Sequence, residues 1–194
     1  MATFGFIGTG NMGGALARAA RKRLSGGEIL LANRSAAKAE ALAQELDCRA
    51  VDNAAVAAEA DYIFLGVKPQ TMARMLQPLQ PILAGRRTPF VLVSMAAGVT
   101  IEALQAMAGG RYPVLRIMPN TACAVGAGMT TYTCSPEVTD SQRQTVLDSL
   151  SASGLLEEIE ENLMGAGSAV AGCGGAYACA VILYDLNDSP GKEL

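Results

Sequence analysis

The sequence predicts an α/β fold with a Rossmann-like, doubly wound and mostly parallel sheet. Short apolar runs alternate with longer segments rich in Ala, Leu and charged residues, which is the pattern of strands joined by crossover helices. The first apolar run ends at Ile7 and leads into Gly8-x-Gly10-x-x-Gly13, and a helical segment follows directly. Strand, glycine turn and helix in this order are the context that a dinucleotide-binding fingerprint requires.

The three glycines of this pattern have separate physical tasks. Gly8 permits the tight turn that leaves the strand, and Gly10 lets a pyrophosphate approach the backbone because it has no side chain. Gly13 allows the helix to pack closely on the strand. The N–H groups at the start of the helix face the phosphates, and the helix dipole favours their negative charge. The stretch Phe4 to Gly14 therefore predicts a nucleotide site rather than an ordinary glycine-rich turn.

The composition limits the size of the fold and its chemistry. Of the 194 residues, 51% are hydrophobic, which is enough for one well-buried core and a small second element. The net charge of −3 gives no indication of nucleic acid or an anionic membrane as a partner. The chain contains no histidine, which excludes a Ser-His-Asp or Cys-His mechanism and a His-rich metal site from this chain alone. We expect no metal.

The cysteines and the hydrophobic pattern indicate a cytoplasmic protein. The five cysteines form no CxxC pair, and their odd number favours reduced thiols. The N-terminus lacks the basic start of a secretory signal. Residues 163–184 carry no charge and are about long enough to span a bilayer, but they are dense in Gly and Ala and lack a basic flank. We expect them to pack on protein rather than to span a membrane.

The boundaries of strands and helices follow from the apolar runs and from the turn and cap residues between them. The expected strands are Ala2–Ile7, Glu28–Ala32, Cys48–Val51, Asp61–Val67, Pro89–Ser94, Val114–Met118, Thr130–Thr133 and Leu155–Ile159. The expected helices are Asn11–Leu24, Ala36–Leu46, a short one that ends at Glu59, Thr71–Leu83, one from Thr100 to Met107, and Thr139–Ser151.

Most of these boundaries have a residue that explains them. Gly26 and Gly27 end the first helix, and Asp52 or Asn53 caps the third. Prolines 78 and 81 kink or shorten the fourth helix, because proline lacks a backbone N–H and clashes with the preceding turn. Gly154 ends the last helix before the final strand.

The residues after the second predicted strand select the cofactor. An NAD site usually places Asp or Glu there to bind the ribose hydroxyls, whereas this chain has Asn33, Arg34 and Ser35, with Lys38 one turn further on. A guanidinium and a hydroxyl suit a 2′-phosphate, and no carboxylate is present to repel it. Ser35 can at the same time cap the helix that starts at Ala36. The pattern favours NADPH over NADH, which stays the alternative.

Lys68 follows the fourth predicted strand, and Pro69 stops that strand. Ligands of open parallel sheets lie at the carboxyl ends of the strands, so Lys68 is expected at the edge where a cofactor would bind. A solvated surface lysine is the alternative interpretation.

The motifs of the chain resemble those of one enzyme family. They are, in order along the chain, Ile7–Gly13, Val67–Gln70, Val93–Gly98, Arg116–Thr121, Gly126–Met129 and Ala166–Gly174. With these segments the sequence resembles the pyrroline-5-carboxylate reductase family, which catalyses the last step of proline synthesis. The resemblance runs from about Phe4 to about Ala180 and is far more specific than the glycine loop alone.

The resemblance implies an oxidoreductase that reduces the cyclic imine Δ1-pyrroline-5-carboxylate to L-proline with NAD(P)H. It names no catalytic side chain: the cofactor carries the hydride step, and because the chain has no histidine, a hydroxyl or water is expected to bring the proton to the imine nitrogen. The cofactor-binding positions that it implies are Gly8, Thr9, Gly10, Asn11 and Met12 at the pyrophosphate, Asn33, Arg34 and Ser35 around the adenosine ribose and its phosphate, Asn53 at the nucleotide, and Val67, Lys68, Ala97 and Asn120 on the nicotinamide side.

The chain departs from the family at its C-terminal end. Family members usually have Pro where this chain has Gly175, and they continue for several helices that pack between subunits and carry the substrate-carboxylate loop. Here the resemblance fades after Ala180. We expect residues 1–160 to form the NAD(P)-binding Rossmann domain and residues 161–194 to be the remnant of a truncated all-helical domain for dimerisation and substrate binding. Truncation would expose apolar surface and favour self-association into a homo-oligomer.

Two alternative functions follow from these departures. A non-catalytic NADPH-binding module would keep the cofactor site without turnover, because the substrate-holding helices are the part that the resemblance lacks. A β-hydroxyacid-dehydrogenase-like oxidoreductase would share the glycine loop. That class needs a catalytic lysine on a long interdomain helix, and no lysine lies between Asn162 and Lys192.

Overall fold

The computed structural model of the chain describes residues 2–172 and residue 174. Its strands are β1 (Phe4–Ile7), β2 (Ile29–Ala32), β3 (Arg49–Ala50), β4 (Tyr62–Leu65), β5 (Val91–Ser94), β6 (Val114–Pro119), β7 (Gly128–Cys134) and β8 (Gly154–Glu158). Its helices are α1 (Asn11–Arg21), α2 (Ala36–Leu46), α3 (Asn53–Glu59), α4 (Pro69–Leu76), α5 (Gln80–Gly85), α6 (Ile101–Ala108), α7 (Asp140–Leu150) and α8 (Met164–Gly167).

The strands form one eight-stranded sheet in the order β3-β2-β1-β4-β5-β6-β7-β8. Strands β1 to β6 are parallel, β7 runs antiparallel to β6, and β8 is parallel to β7. The mostly parallel, Rossmann-like sheet predicted from the sequence is therefore confirmed. Strand addition reverses direction between β1 and β4, so the carboxyl ends of these two strands form the topological switch point, where α/β sheets bind ligands.

Two apolar cores cover the two faces of the sheet. One contains Val56 of α3, Leu83 of α5 and Leu104 of α6. The other contains Leu16 of α1 and Val146 of α7. Strands β1, β2, β4 and β5 are buried at every position because helices cover both of their faces, which explains why they are continuous apolar runs rather than alternating ones.

Two prolines divide the predicted helix Thr71–Leu83, and a third proline stands just before it. Pro69 begins α4, a 3-10 turn at Gln77–Leu79 contains Pro78, and α5 contains Pro81 at its start. Proline is tolerated in the first turn of a helix, where its missing N–H would have no intrahelical partner. The prolines therefore shorten this helix, as the sequence predicts, and the result is two helices instead of one.

Asp52 and Thr100 cap their helices as predicted, whereas the first helix ends at Arg21, before Gly26 and Gly27. The carboxylate of Asp52 accepts a hydrogen bond from the Ala55 N–H at the start of α3, at 2.7 Å. The Thr100 hydroxyl caps α6 in the same way. Ser35 is the N-cap residue of α2, as predicted, but its side chain makes no capping hydrogen bond among the described residues.

The segment Glu161–Gly172 follows β8 and packs on β6 and β7. It consists of a 3-10 turn, α8 and a π-helical turn at Ser168–Gly172. Among residues 2–172 and residue 174, no helix has both the length and the apolar character that crossing a bilayer would require. The rest of the uncharged stretch 163–184, including Gly175, lies outside the described residues, and the predicted domain boundary after residue 160 stays a prediction.

Candidate nucleotide-binding site

The predicted cofactor positions lie along one edge of the sheet. They follow the carboxyl ends of β1 to β6, which are parallel and in register, with Ile7 opposite both Ala32 and Leu65. The N–H of Gly8 donates to the carbonyl of Ala32, and the N–H of Gly66 donates to the carbonyl of Ile7, both at 2.8 Å. Because these bonds align the strand ends, the loops that leave the strands start side by side.

Three glycines meet at the switch point between β1 and β4. Gly8 has φ of +94°, the left-handed region that favours glycine. A Cβ at Gly13 would lie 2.2 Å from the Gly8 carbonyl oxygen, and a Cβ at Gly66 would lie 2.5 Å from the same oxygen. These contacts let α1 and β4 approach the glycine loop closely. Gly66 was missed in the sequence, where it stood inside a predicted strand, although a glycine at the end of a buried strand signals close backbone approach.

Gly10 differs from these three glycines, because a Cβ there would have nothing within 4 Å. Gly10 is exposed and holds the cap position of α1, where no side chain caps the helix within the described part of the chain. The first turn of α1 contains no acidic residue. Open space in front of a helix start that carries no negative charge suits an anion such as a pyrophosphate.

The adenosine-side residues directly follow β2 and are accessible. Arg34, Ser35 and Lys38 are exposed, and Asn33 is half-buried. The described residues give Arg34 no ion pair. Arg18 of α1, by contrast, donates two short hydrogen bonds to the carboxylate of Glu45, which raise the pKa of Arg18. Arg34 and Lys38 are therefore exposed cations that the β2 side of this edge offers to a phosphate.

The nicotinamide-side residues come from three different loops. Val67 and Lys68 follow β4, with Lys68 exposed at the cap position of α4, and Ala97 is exposed in the loop after β5. Asn120 follows β6 and is half-buried. The predicted Asn53 lies further along the same edge, as the first residue of α3.

The amide of Asn120 makes hydrogen bonds within the protein through both its nitrogen and its oxygen. Its Nδ2 donates to the carbonyl of Ala171 at 3.0 Å, and its Oδ1 accepts from the N–H of Met129 at 3.2 Å. The first bond holds the C-terminal part of the described chain, and the second holds the start of β7. Asn120 therefore joins three segments at this edge, a task that the sequence did not indicate.

A separate cleft of about 570 Å³ lies between α6, the end of β7 and Glu161. Gly110 and Arg111, which precede β6, and Ser135, which follows β7, line it. These three residues lie at the edge opposite to the carboxyl ends of the parallel strands. None of the predicted cofactor positions lines the cleft.

Comparisons with known proteins show the family of the chain. A family model described as "NADP oxidoreductase coenzyme F420-dependent" matches residues 3–98. The chain is 35% identical over 179 residues to a pyrroline-5-carboxylate reductase of Corynebacterium melassecola, covering 91% of this chain and 66% of that protein. It is 31% identical to the pyrroline-5-carboxylate reductase of Haemophilus influenzae, covering 97% of this chain and 72% of that protein. The chain belongs to the pyrroline-5-carboxylate reductase family.

Solved structures of this family have the same fold. A pyrroline-5-carboxylate reductase from Coxiella burnetii matches with a TM-score of 0.91 and 25% identity, covering 99% of this chain and 72% of that chain. A Plasmodium falciparum pyrroline carboxylate reductase with NADP bound matches with a TM-score of 0.82 and 27% identity, covering 99% of this chain and 71% of that chain. The chain spans 66% of the length of the Corynebacterium reductase and 65% of that from Aquifex aeolicus.

Proposed function

We propose that the chain binds NADPH along the carboxyl edge of its sheet and uses it to reduce Δ1-pyrroline-5-carboxylate to L-proline. The observation that carries the proposal is the glycine contact at the switch point. Gly8 and Gly13 are needed for packing, whereas Gly10 is open in front of α1. This arrangement fits a pyrophosphate, and it occurs in a chain of the pyrroline-5-carboxylate reductase family.

The proposed cofactor contacts divide the edge into two ends. The loop Gly8–Met12 binds the pyrophosphate, and Asn33, Arg34 and Ser35 bind the adenosine ribose and its 2′-phosphate, with Asn53 beside the nucleotide. Val67, Lys68, Ala97 and Asn120 form the nicotinamide side. The exposed guanidinium of Arg34 supports a preference for NADPH over NADH, because it can form charge-assisted hydrogen bonds to a 2′-phosphate.

The chemistry asks little of the side chains. When bound, NADPH supplies the hydride that reduces the imine carbon. The residues of the nicotinamide side orient the two rings against each other, and a hydroxyl group or water delivers the proton to the imine nitrogen because the chain has no histidine. No cluster of metal-ligating side chains occurs among residues 2–172 and 174.

The remaining expectations belong to the same proposal. Residues 1–160 form the cofactor domain, and residues 161–194 belong to the helical domain. Exposed Leu155 and Val170 support self-association. Cys48, Cys123 and Cys134 are free thiols, which supports a cytoplasmic location.

The test is NADPH oxidation, followed by absorbance, with pyrroline-5-carboxylate on purified chain of verified mass. NADPH and NADH are titrated on the same sample by calorimetry. Turnover with tighter NADPH binding is the expected result. Binding of NADPH without turnover would favour the non-catalytic module, and oxidation of a β-hydroxyacid with NADP would favour the dehydrogenase alternative. A chain that binds neither cofactor would contradict the proposal.

A further inference from the structure

Arg116 of β6 is a buried cation in the middle of one face of the sheet. It lies in register between Ser94 of β5 and Thr133 of β7. Its side chain is only 7% exposed. A charged group in this position is unfavourable unless it is paired and hydrogen-bonded, so its partners carry a large part of the local stability.

The partner of Arg116 is Glu161, which comes from the segment after β8. The Nη1 of Arg116 lies 3.3 Å from Oε1 of Glu161, and the same oxygen accepts a hydrogen bond from the N–H of Ile101 at 2.6 Å. The Nε of Arg116 is buried without a hydrogen-bond partner among the described residues. The pairing of Arg116 therefore depends on Glu161, and one carboxylate oxygen joins β6 to the start of α6.

This oxygen of Glu161 holds the start of α6, the helix that follows a loop of the proposed cofactor edge. Ile101 is the first residue of α6, and the loop Met95–Thr100 connects it to β5. That loop contains the exposed Ala97. A carboxylate at the first N–H of a helix is also favoured by the helix dipole.

A second bond holds the other end of the same segment. The amide of Asn120 donates to the carbonyl of Ala171. The segment Glu161–Gly172 is thus attached to β6 through Glu161 at its start, and to Asn120, directly after β6, through Ala171 near its end. Both attachments lie on the nicotinamide side. Strands β1, β4 and β5 separate them from β2 and from Arg34, which follows β2.

We propose that Arg116 and Glu161 are positioning residues that hold the loop Met95–Thr100 in place at the nicotinamide end of the cofactor edge. The inference rests on the proposed function. Without the carboxylate, the N–H of Ile101 loses its acceptor and Arg116 must move to find a new partner, so the loop with Ala97 shifts. The adenosine end is built on β2 and keeps its geometry.

The experiment compares two probes on the full chain by calorimetry. NADPH contacts both ends of the edge, whereas adenosine 2′,5′-bisphosphate contacts the adenosine end alone. We expect Glu161→Ala to raise the Kd for NADPH about tenfold and to leave the Kd for adenosine 2′,5′-bisphosphate unchanged. Glu161→Gln should have a smaller effect, since its amide oxygen can still accept from Ile101. The exposed neighbour Glu160 provides the matched control, and Glu160→Ala should bind both probes like the wild type.

A rescue variant separates positioning from general instability. Glu161→Gln combined with Arg116→Met removes both charges, and its NADPH affinity should recover towards the wild-type value relative to Glu161→Gln alone. This pair also provides the test if Glu161→Ala does not fold. An equal loss of affinity for both probes, an unchanged Kd for NADPH, or a double variant weaker than Glu161→Gln would overturn the inference. A wild-type chain that binds neither probe would instead overturn the proposed function, and the inference with it.

Discussion

The two ends of the proposed cofactor edge are built in different ways. At the adenosine end, Asn33, Arg34 and Ser35 are consecutive and follow a single strand, so their position depends on β2 alone. At the nicotinamide end, Ala97 and Asn120 come from separate loops. A segment more than forty residues further along the chain bonds to Asn120 and to Ile101, which follows the loop that contains Ala97. A local motif can specify phosphate recognition, whereas the reacting end needs contacts between distant parts of the chain.

The largest expected effect distinguishes the packing glycines from the open one. Gly13→Val should prevent folding or abolish NADPH binding, because its Cβ would lie 2.2 Å from the Gly8 carbonyl oxygen. Gly10→Ala should leave the fold intact, because nothing lies within 4 Å of the added carbon. Its only effect should be a lower affinity for NADPH. Circular dichroism and calorimetry measure the two effects. A stably folded Gly13→Val variant with wild-type affinity would contradict this division of tasks.

The next effect tests a buried arginine that lies away from the cofactor edge. The Arg86 side chain is 5% exposed and donates to the carbonyl of Ala57 at 3.0 Å and to the carbonyl of Ala60. Arg86→Ala should lower the free energy of unfolding by about 2 to 4 kcal/mol, because buried carbonyls lose their donor.

The Kd of Arg86→Ala for NADPH should not change under conditions in which the variant is folded, in contrast to the variants of Glu161. Urea unfolding and calorimetry measure the two quantities. The exposed neighbour Arg87 is the matched control, and Arg87→Ala should behave like the wild type. A loss of NADPH affinity in folded Arg86→Ala would remove the contrast between the two buried arginines.

A charge reversal at the adenosine end should change cofactor choice without affecting the other end. Arg34→Glu should weaken NADPH binding about 30-fold, since a charge-assisted bond to the 2′-phosphate is replaced by repulsion. NADH, which lacks this phosphate, should bind with little change. Arg87→Glu introduces the same charge change on another exposed arginine and should leave both affinities unaltered. Equal Kd values of the wild type for the two cofactors would exclude the role of Arg34.

The smallest effect concerns the second half of the sheet, away from both ends of the edge. Burial, with a further contribution from Glu158, raises the pKa of Cys134 to about 11. The unfolded thiol has a pKa of about 8.5, so the folded protein keeps a proton that the unfolded chain releases between these values. The free energy of unfolding should therefore fall as the pH rises from about 8.5 towards 11.

Urea midpoints across this pH range measure the effect of the thiol. Cys134→Ala should reduce the slope, and Tyr132 and Cys48, whose pKa values burial also raises, should contribute to the slope that remains. Stability that rises with pH in this range, or a variant with the full wild-type slope, would contradict the assignment to Cys134.

The sequence predicted features that depend on neighbouring residues. The glycine loop, the cap at Asp52 and the helix Ala36–Leu46 were each determined by a few adjacent positions, and the structure has them at those positions. The antiparallel direction of β7 was not predicted, because Thr-rich residues favour a strand without specifying its partner. The direction depends on how the turn at Thr121–Val125 returns the chain beside β6.

Long-range contacts could not be predicted from the pattern. Arg116 stood in a family motif, but its partner Glu161 lies 45 residues away in a run of acidic residues that reads as an exposed surface. Asn120 was expected beside the nicotinamide. The hydrogen bond from its side-chain amide to the carbonyl of Ala171 was not predicted, because it depends on the fold of a segment 51 residues further on. Gly66 was missed because its contact with Gly8 exists only after β1 and β4 pair.

The most direct test of the account is a crystal structure of the chain with NADPH. We expect the pyrophosphate in front of Gly10, the 2′-phosphate within hydrogen-bond distance of Arg34, and the nicotinamide beside Ala97. A cofactor bound in the cleft between α6 and the end of β7 would contradict the proposed placement of NADPH. A cofactor at the switch point with its adenosine end on the β5 side would contradict it as well.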